Sequence, residues 1–145
     1  LMERAGTSET GSITAIYTVL VEGGDADEPI ADAARGVLDG HIMLSRDMAA
    51  KNHYPCIEVG HSVSRLFSAI CKEEQKEAAG KLREILSVYN EAEDLINIGA
   101  YEKGSNPKID YAIEKIDAVN DFLKQRTHEN FQFDDTVNQL LQLFN

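Results

Sequence analysis

Gly11-Ser12-Ile13-Thr14-Ala15-Ile16-Tyr17-Thr18-Val19-Leu20-Val21 is the stretch on which the fold turns. From Ile13 to Val21 it is rich in β-branched residues and apolar at both parities, so an extended chain here would present hydrophobic groups on both faces. That pattern predicts a central strand of a parallel sheet with cover on either side. Downstream, Gly23-Gly24-Asp25 breaks the run. Asp27-Glu28-Pro29 then predicts a helix start, with acids near the positive end and proline at the first helical position. Its buried stripe is Ile30, Ala33, Ala34, Val37 and Leu38, and Gly40 stops it. His41-Ile42-Met43-Leu44-Ser45 reads as a second strand, Asp47 to Lys51 as a turn of helix, and Cys56-Ile57-Glu58-Val59 as a third strand. This alternation predicts an α/β unit over residues 1–67.

Around Ser68 to Lys72 the pattern becomes helical only, giving an all-α unit over residues 68–145. Leu82, Ile85, Leu86, Tyr89, Ala92, Leu95 and Ile96 recur at helical spacing, as do Ile109, Ile113, Ile116, Val119, Phe122 and Leu123. Gly99-Ala100-Tyr101-Glu102-Lys103-Gly104-Ser105-Asn106-Pro107 lies between them as a loop with turn residues at both ends. A last helix begins near Asp134 and turns Val137, Leu140, Leu141 and Phe144 inward.

The chain has 145 residues, enough for one ordinary domain or a small domain with part of another. Its start, Leu1-Met2-Glu3-Arg4, reads as the interior of a longer polypeptide. With 14 Lys and Arg against 25 Asp and Glu, the formal charge is −11. That field opposes general binding to nucleic acid or to anionic membranes, which require a basic footprint. No apolar run approaches the roughly 20 residues of a membrane span. Cys56 and Cys71 have neither metal-ligand nor redox spacing and read as free thiols of a reducing cytosol.

One further stretch carries chemistry: His53-Tyr54-Pro55-Cys56-Ile57-Glu58-Val59-Gly60-His61-Ser62-Val63-Ser64-Arg65. Tyr54 before Pro55 makes a stiff aromatic face, suited either to stacking on a base or to packing at a strand entrance. Arg65 ends a serine-flanked turn, where it suits phosphate oxygens or a surface ion pair with one of the many acids. His41, His53, His61 and His128 share no metal-binding spacing and read as ordinary polar residues. Ser62 and Ser64 lack the context of a hydrolase nucleophile. No phosphate-binding G-x-x-x-x-G-K-[ST] is present, nor an apolar strand ending in a Mg²⁺-holding aspartate. The chain alone is therefore expected to be inactive on ATP.

Taken in order, these residues resemble the C-terminal third of flagellar, type III secretion protein-export ATPases, relatives of the rotary ATP synthase subunits. The resemblance rests on Glu3-Arg4-Ala5-Gly6, Gly11 to Ala15, Pro29 to Asp32, Leu38 to Ile42 with Leu44-Ser45-Arg46, His53-Tyr54-Pro55 through Ser64-Arg65, and Gly99-Ala100-Tyr101 with Lys103-Gly104-Ser105. It implies the end of a RecA-like, P-loop NTPase sheet domain followed by a small helical domain. It implies that Tyr54 and Pro55 lie against adenine and that Arg65 reaches the neighbouring subunit's site as an arginine finger. Tyr101, Glu102, Lys103 and Ser105 would face a coiled-coil stalk protein.

The implied cofactors are ATP and Mg²⁺, with the metal's ligands outside this chain. The implied assembly is a cytoplasmic homohexameric ring, peripheral to a membrane export gate and meeting export substrates, chaperones and a stator-like regulator. Ala100 before Tyr101 points to the flagellar branch. Val59-Gly60-His61 departs toward the non-catalytic synthase subunit, and Cys56 stands where alanine is usual; both bear on how Arg65 is presented. Two other readings remain: a helical interaction module, and a subunit of a rotary synthase.

Overall fold

A computed structural model describes residues 4–21 and 28–145. The expected break at Gly23-Gly24-Asp25 and the acid at Asp27 lie outside the described residues, as does Glu3. The chain opens with a hairpin, β1 (Gly6–Ser8) and β2 (Gly11–Ile13), in antiparallel register with Gly6 opposite Ile13 and Ser8 opposite Gly11. The Ser8 hydroxyl closes the turn by donating to the Gly11 carbonyl at 3.1 Å.

The expected parallel strand over Ile13–Val21 is not what forms. Only Gly11–Ile13 is strand, and residues 14–21 have no ladder among the described residues. Ile16 and Leu20 stand 96% and 89% exposed. The reason is that apolarity at both parities asks for neighbours on both edges and cover on both faces, and no described residue supplies either.

Helix α1 (Pro29–Val37) begins at the proline as expected, but its inward residues are Ala31 and Ala34, whereas Ile30 and Val37 are exposed. The larger side chains face away from anything the described chain offers. Gly40 does not stop this helix, which ends at Leu38 in an extended conformation. Instead it starts β3 (Gly40–His41), which pairs antiparallel with β4 (Val63–Ser64). Glycine is required there by approach: a Cβ on Gly40 would sit 2.6 Å from the Val63 carbonyl oxygen. Between β3 and β4 lies α2 (Arg46–Ala50), capped by the Ser45 hydroxyl accepting from the Met48 N–H. The expected strand at Cys56–Val59 reduces to an antiparallel bridge between Leu44 and Ile57, flanked by bonds from Ser45 N to Cys56 O and from Glu58 N to Met43 O.

After the short α3 (Phe67–Ile70), three helices form where the pattern put them, although Leu95 and Ile113, counted in the repeats, stand 49% and 36% exposed. Helix α4 (Glu73–Asn97) carries Glu73 and Glu74 in its first turn, where the helix dipole favours them. Helix α5 (Pro107–Leu123) starts on Asn106, whose side chain accepts from the Lys108 N–H at 3.0 Å, with proline at the first helical position. Helix α6 (Phe133–Gln142) closes the unit.

One core joins them: Ala78, Leu82 and Ile85 of α4 meet Ala112, Ile116 and Val119 of α5 and Leu140 of α6. The spacings of four and then three residues place each trio on one stripe. Burying each large aliphatic group here contributes about 1.5–3 kcal/mol. Val59, from the segment before β4, also packs on this cluster and so ties the first part of the chain to the helices.

Candidate functional site

Arg65 follows β4 directly, and its own N–H donates to the Asp39 carbonyl at 2.9 Å, extending the β3–β4 pairing by one rung. The turn that leads into β4 is wound by side chains. Ser62 donates to the Glu58 carbonyl at 2.8 Å and accepts from the Met43 N–H at 3.0 Å. The His61 ring bonds the Glu58 carboxylate at 2.8 Å, and the His61 carbonyl meets the His41 ring at 2.9 Å. The Val59-Gly60-His61 departure thus sits in a turn fixed at both ends.

The Arg65 guanidinium donates to the carbonyls of Arg35 and Gly36, at 3.2 and 3.4 Å. These belong to the last turn of α1, whose carbonyls have no partner within the helix and carry its negative end. Arg65 is exposed and, among the described residues, forms no ion pair with a carboxylate. Carbonyl dipoles hold the fork in place without neutralising it, so its charge remains available.

Tyr54 and Pro55 form a separate exposed face, with Tyr54 52% accessible. The approach to it turns at Asn52, which takes a left-handed φ of 57°, and the Tyr54–Pro55 bond is cis. Beside this face His53 is buried, and its Nε2 has no hydrogen-bond partner among the described residues. Burial, and secondarily the Lys124 ammonium, hold its imidazole below the ordinary histidine value. The Gln125 N–H, just past α5, donates to the Tyr54 carbonyl at 2.9 Å. His53, read from the sequence as an ordinary polar residue, is instead buried, and Gln125 was not singled out at all. A single-residue pattern carries no sign of a backbone bond between distant segments.

The loop from Gly99 to Pro107 is a built structure. Gly99 and Gly104 take φ of 70° and 93°, the left-handed region that favours glycine. Asp110, in the first turn of α5, reaches back to it: Oδ2 accepts from the Gly104 N–H at 2.9 Å and Oδ1 from the Tyr101 hydroxyl at 3.0 Å. The same hydroxyl lies 3.0 Å from the Asn106 carbonyl, and the Ser105 hydroxyl donates to the Glu102 carbonyl at 2.6 Å. Tyr101 is half-buried, while Glu102, Lys103 and Ser105 are exposed. The candidate residues therefore occupy three places: the Tyr54–Pro55 face, the Arg65 turn and this loop. Among the described residues no group of three or more His, Cys, Asp or Glu could hold a metal ion. Both cysteines are free and half-buried.

Residues 1–64 match the ATP synthase alpha/beta family, nucleotide-binding domain, and residues 71–142 match the T3SS EscN ATPase C-terminal domain. The chain belongs to the type III secretion ATPase family.

A type 3 secretion system ATPase of Xanthomonas euvesicatoria is 49% identical over 97% of this chain, and a flagellum-specific ATP synthase of Treponema pallidum is 50% identical over 99% of it. This chain spans 32% of the length of either relative. The assembled ATPase EscN of the enteropathogenic E. coli type III secretion system superposes with a TM-score of 0.94 at 39% identity, over 98% of this chain and 34% of that one. EscN in complex with its central stalk EscO gives 0.86 at 38% identity, over 97% and 33%. The near-equal identities to secretion and flagellar relatives do not separate the two branches as Ala100 had suggested.

Proposed function

We propose that this chain is the C-terminal third of an ATP-hydrolysing ring motor that energises type III protein export, and that Arg65 acts in the neighbouring subunit's site. The observation that carries this is the state of Arg65: exposed, fixed on a short ladder, and without a carboxylate partner in a chain of net charge −11. Arg46, Arg83 and Arg126 are also exposed and without a carboxylate partner among the described residues; what sets Arg65 apart is that its guanidinium is held by the Arg35 and Gly36 carbonyls and its N–H by the β3–β4 ladder. An unneutralised fork held at a turn suits charge that develops elsewhere, on a transferring γ-phosphoryl group. Supplied by a neighbour, it makes hydrolysis depend on subunit packing.

Residues 1–67 are then the end of a RecA-like domain, and residues 68–145 its helical companion. In the whole protein the run from Thr14 to Val21 becomes a sheet strand once neighbours flank it, a reading supported by the close superposition on an assembled ATPase. Tyr54 and Pro55 form a wall against adenine, and Mg²⁺ is held by residues outside this chain. The loop at Tyr101, Glu102, Lys103 and Ser105 meets a central coiled-coil stalk, as EscN meets EscO. The assembly is a cytoplasmic homohexamer at a membrane export gate, serving export substrates and chaperones under a stator-like regulator.

Arg65→Ala in the full-length protein is expected to cut turnover by about 10³-fold while nucleotide affinity stays nearly unchanged. Arg65→Lys keeps the charge but loses the planar fork, and should restore only part of the rate. Undiminished turnover in Arg65→Ala would end the reading.

The helical part supports a second role, as an interaction module, because its loop is pre-shaped by Asp110 rather than left loose. In that role it binds the stalk and export clients, with hydrolysis confined to the residues upstream.

A further inference from the structure

The segment around Tyr54 is pinned by its backbone at three points. His53 N–H donates to Met48 O, Ser45 N–H donates to Cys56 O, and Gln125 N–H donates to Tyr54 O, each at 2.9 Å. The first partner, Met48, lies within α2 and the second, Ser45, is its N-cap, so both are close in sequence. The third comes from the far end of α5 and belongs to the helical part.

The Tyr54 carbonyl shares one rigid peptide plane with the Pro55 ring nitrogen. A bond that turns this oxygen therefore turns the proline, and with it the face beside the tyrosine ring. Other contacts make the joint firm rather than incidental. His53 is 8% exposed at the same place, the Lys51 ammonium lies 3.6 Å from Glu93 of α4, the Arg83 guanidinium of α4 lies over the Phe67 ring at 5.4 Å, and Val59 packs on the helical core.

We propose that Gln125 is a positioning residue for the nucleotide: through its N–H it sets the pitch of the Tyr54–Pro55 wall, so that the placement of α5 tunes ATP affinity. This rests on the reading of Tyr54 and Pro55 as the adenine wall. A partner that shifts the helical part would act on nucleotide binding through this bond, and ATP would act on the helical part in return.

Gln125→Pro in the full-length enzyme removes the N–H. Lys124, at φ −88° and ψ 141°, already has the extended geometry that precedes a proline. The comparison is Gln125→Ala, which keeps the N–H and loses only the side-chain bond to the Glu129 carbonyl at 2.7 Å. We expect KM for ATP to be about 5- to 10-fold higher in Gln125→Pro than in Gln125→Ala, with kcat at saturating ATP within about twofold. Equal KM values, or a fall in kcat alone, overturn the proposal.

If Gln125→Pro does not fold, amide exchange in the wild-type enzyme decides. The Gln125 amide should be protected, and more so with a non-hydrolysable ATP analogue; no added protection overturns the proposal. Tyr54→Ala, measured alongside, separates the two failures. Unchanged KM there removes the adenine wall and this proposal with it. A raised KM there with equal values for the two Gln125 variants removes only the positioning role.

Discussion

Asp110→Ala would show how the loop between α4 and α5 keeps its shape. The carboxylate accepts from the Gly104 N–H at 2.9 Å and from the Tyr101 hydroxyl at 3.0 Å. A hydrogen bond to a charged group contributes about 1.5–3 kcal/mol, and the exposure of Gly104 puts that bond at the lower end. The tyrosine bond adds less, because the same proton can turn to the Asn106 carbonyl, also at 3.0 Å. The acid also favours the positive end of α5, by about 0.3–1 kcal/mol.

Together these give about 2 kcal/mol, most of it local to the loop rather than to the α4–α5 core. Amide exchange reads that quantity directly: the Gly104 amide should exchange about 30-fold faster in the variant, while amides near Val119 are unaffected. Asp110→Asn keeps one acceptor oxygen and should fall between. On the proposal that this loop meets a stalk protein, that binding should weaken in step with the loss of loop order. A Gly104 amide that exchanges equally in wild type and Asp110→Ala would refute the reasoning, since the carboxylate would then not be what holds the loop.

Two further outcomes follow from particular residues. Because burial lowers the His53 pKa, the unfolded chain takes up a proton near its ordinary value of about 6.5 and the folded chain only at lower pH. The His53 contribution to stability is therefore intact above about pH 6.5 and is lost as the pH falls through the folded-state value. His53→Gln should flatten this part of the stability profile, and denaturant curves parallel to wild type between about pH 8 and 5 would exclude it. Gly40→Ala drives a methyl against the Val63 carbonyl, so β3 and β4 must part. The expected cost is about 1–3 kcal/mol by denaturant unfolding, with a fall in turnover because Arg65 hangs from the same ladder. An unshifted midpoint would mean that the ladder yields without cost.

The helices were legible because their information is local. Leu82, Ile85, Ile116, Val119 and Leu140 recur at helical spacing, and all are buried where that spacing puts them. Ala78 and Ala112 escaped notice as core residues because a methyl group is compatible with either environment. The Ile13–Val21 run was misjudged for the opposite reason: its composition states what it needs on either side, and those needs are met by other strands or not at all. The stripe of α1, of which Ala34 is buried but Ile30 and Val37 are exposed, failed in the same way.

At the candidate site, Tyr54 and Arg65 were visible as residue types with unusual neighbours. What governs them was not visible. The α1 carbonyls under Arg65 and the Gln125 N–H under Tyr54 are backbone groups, which every residue carries. The reach of Asp110 into its loop depends on a turn geometry that only Gly104, one of its two partners there, even hints at.

The bare run from Ile13 to Leu20 also bears on how this polypeptide behaves in a tube. Its large side chains and, from Thr14 onward, its unpaired backbone offer a template for strand addition between identical chains. Against that stands a mutual repulsion from a charge of −11 on every copy. Repulsion reaches about 30 Å at 0.01 M salt but only about 8 Å at physiological ionic strength, whereas strand pairing needs contact alone. Added salt therefore removes the barrier without weakening the attraction, and this chain should stay monodisperse best in dilute buffer.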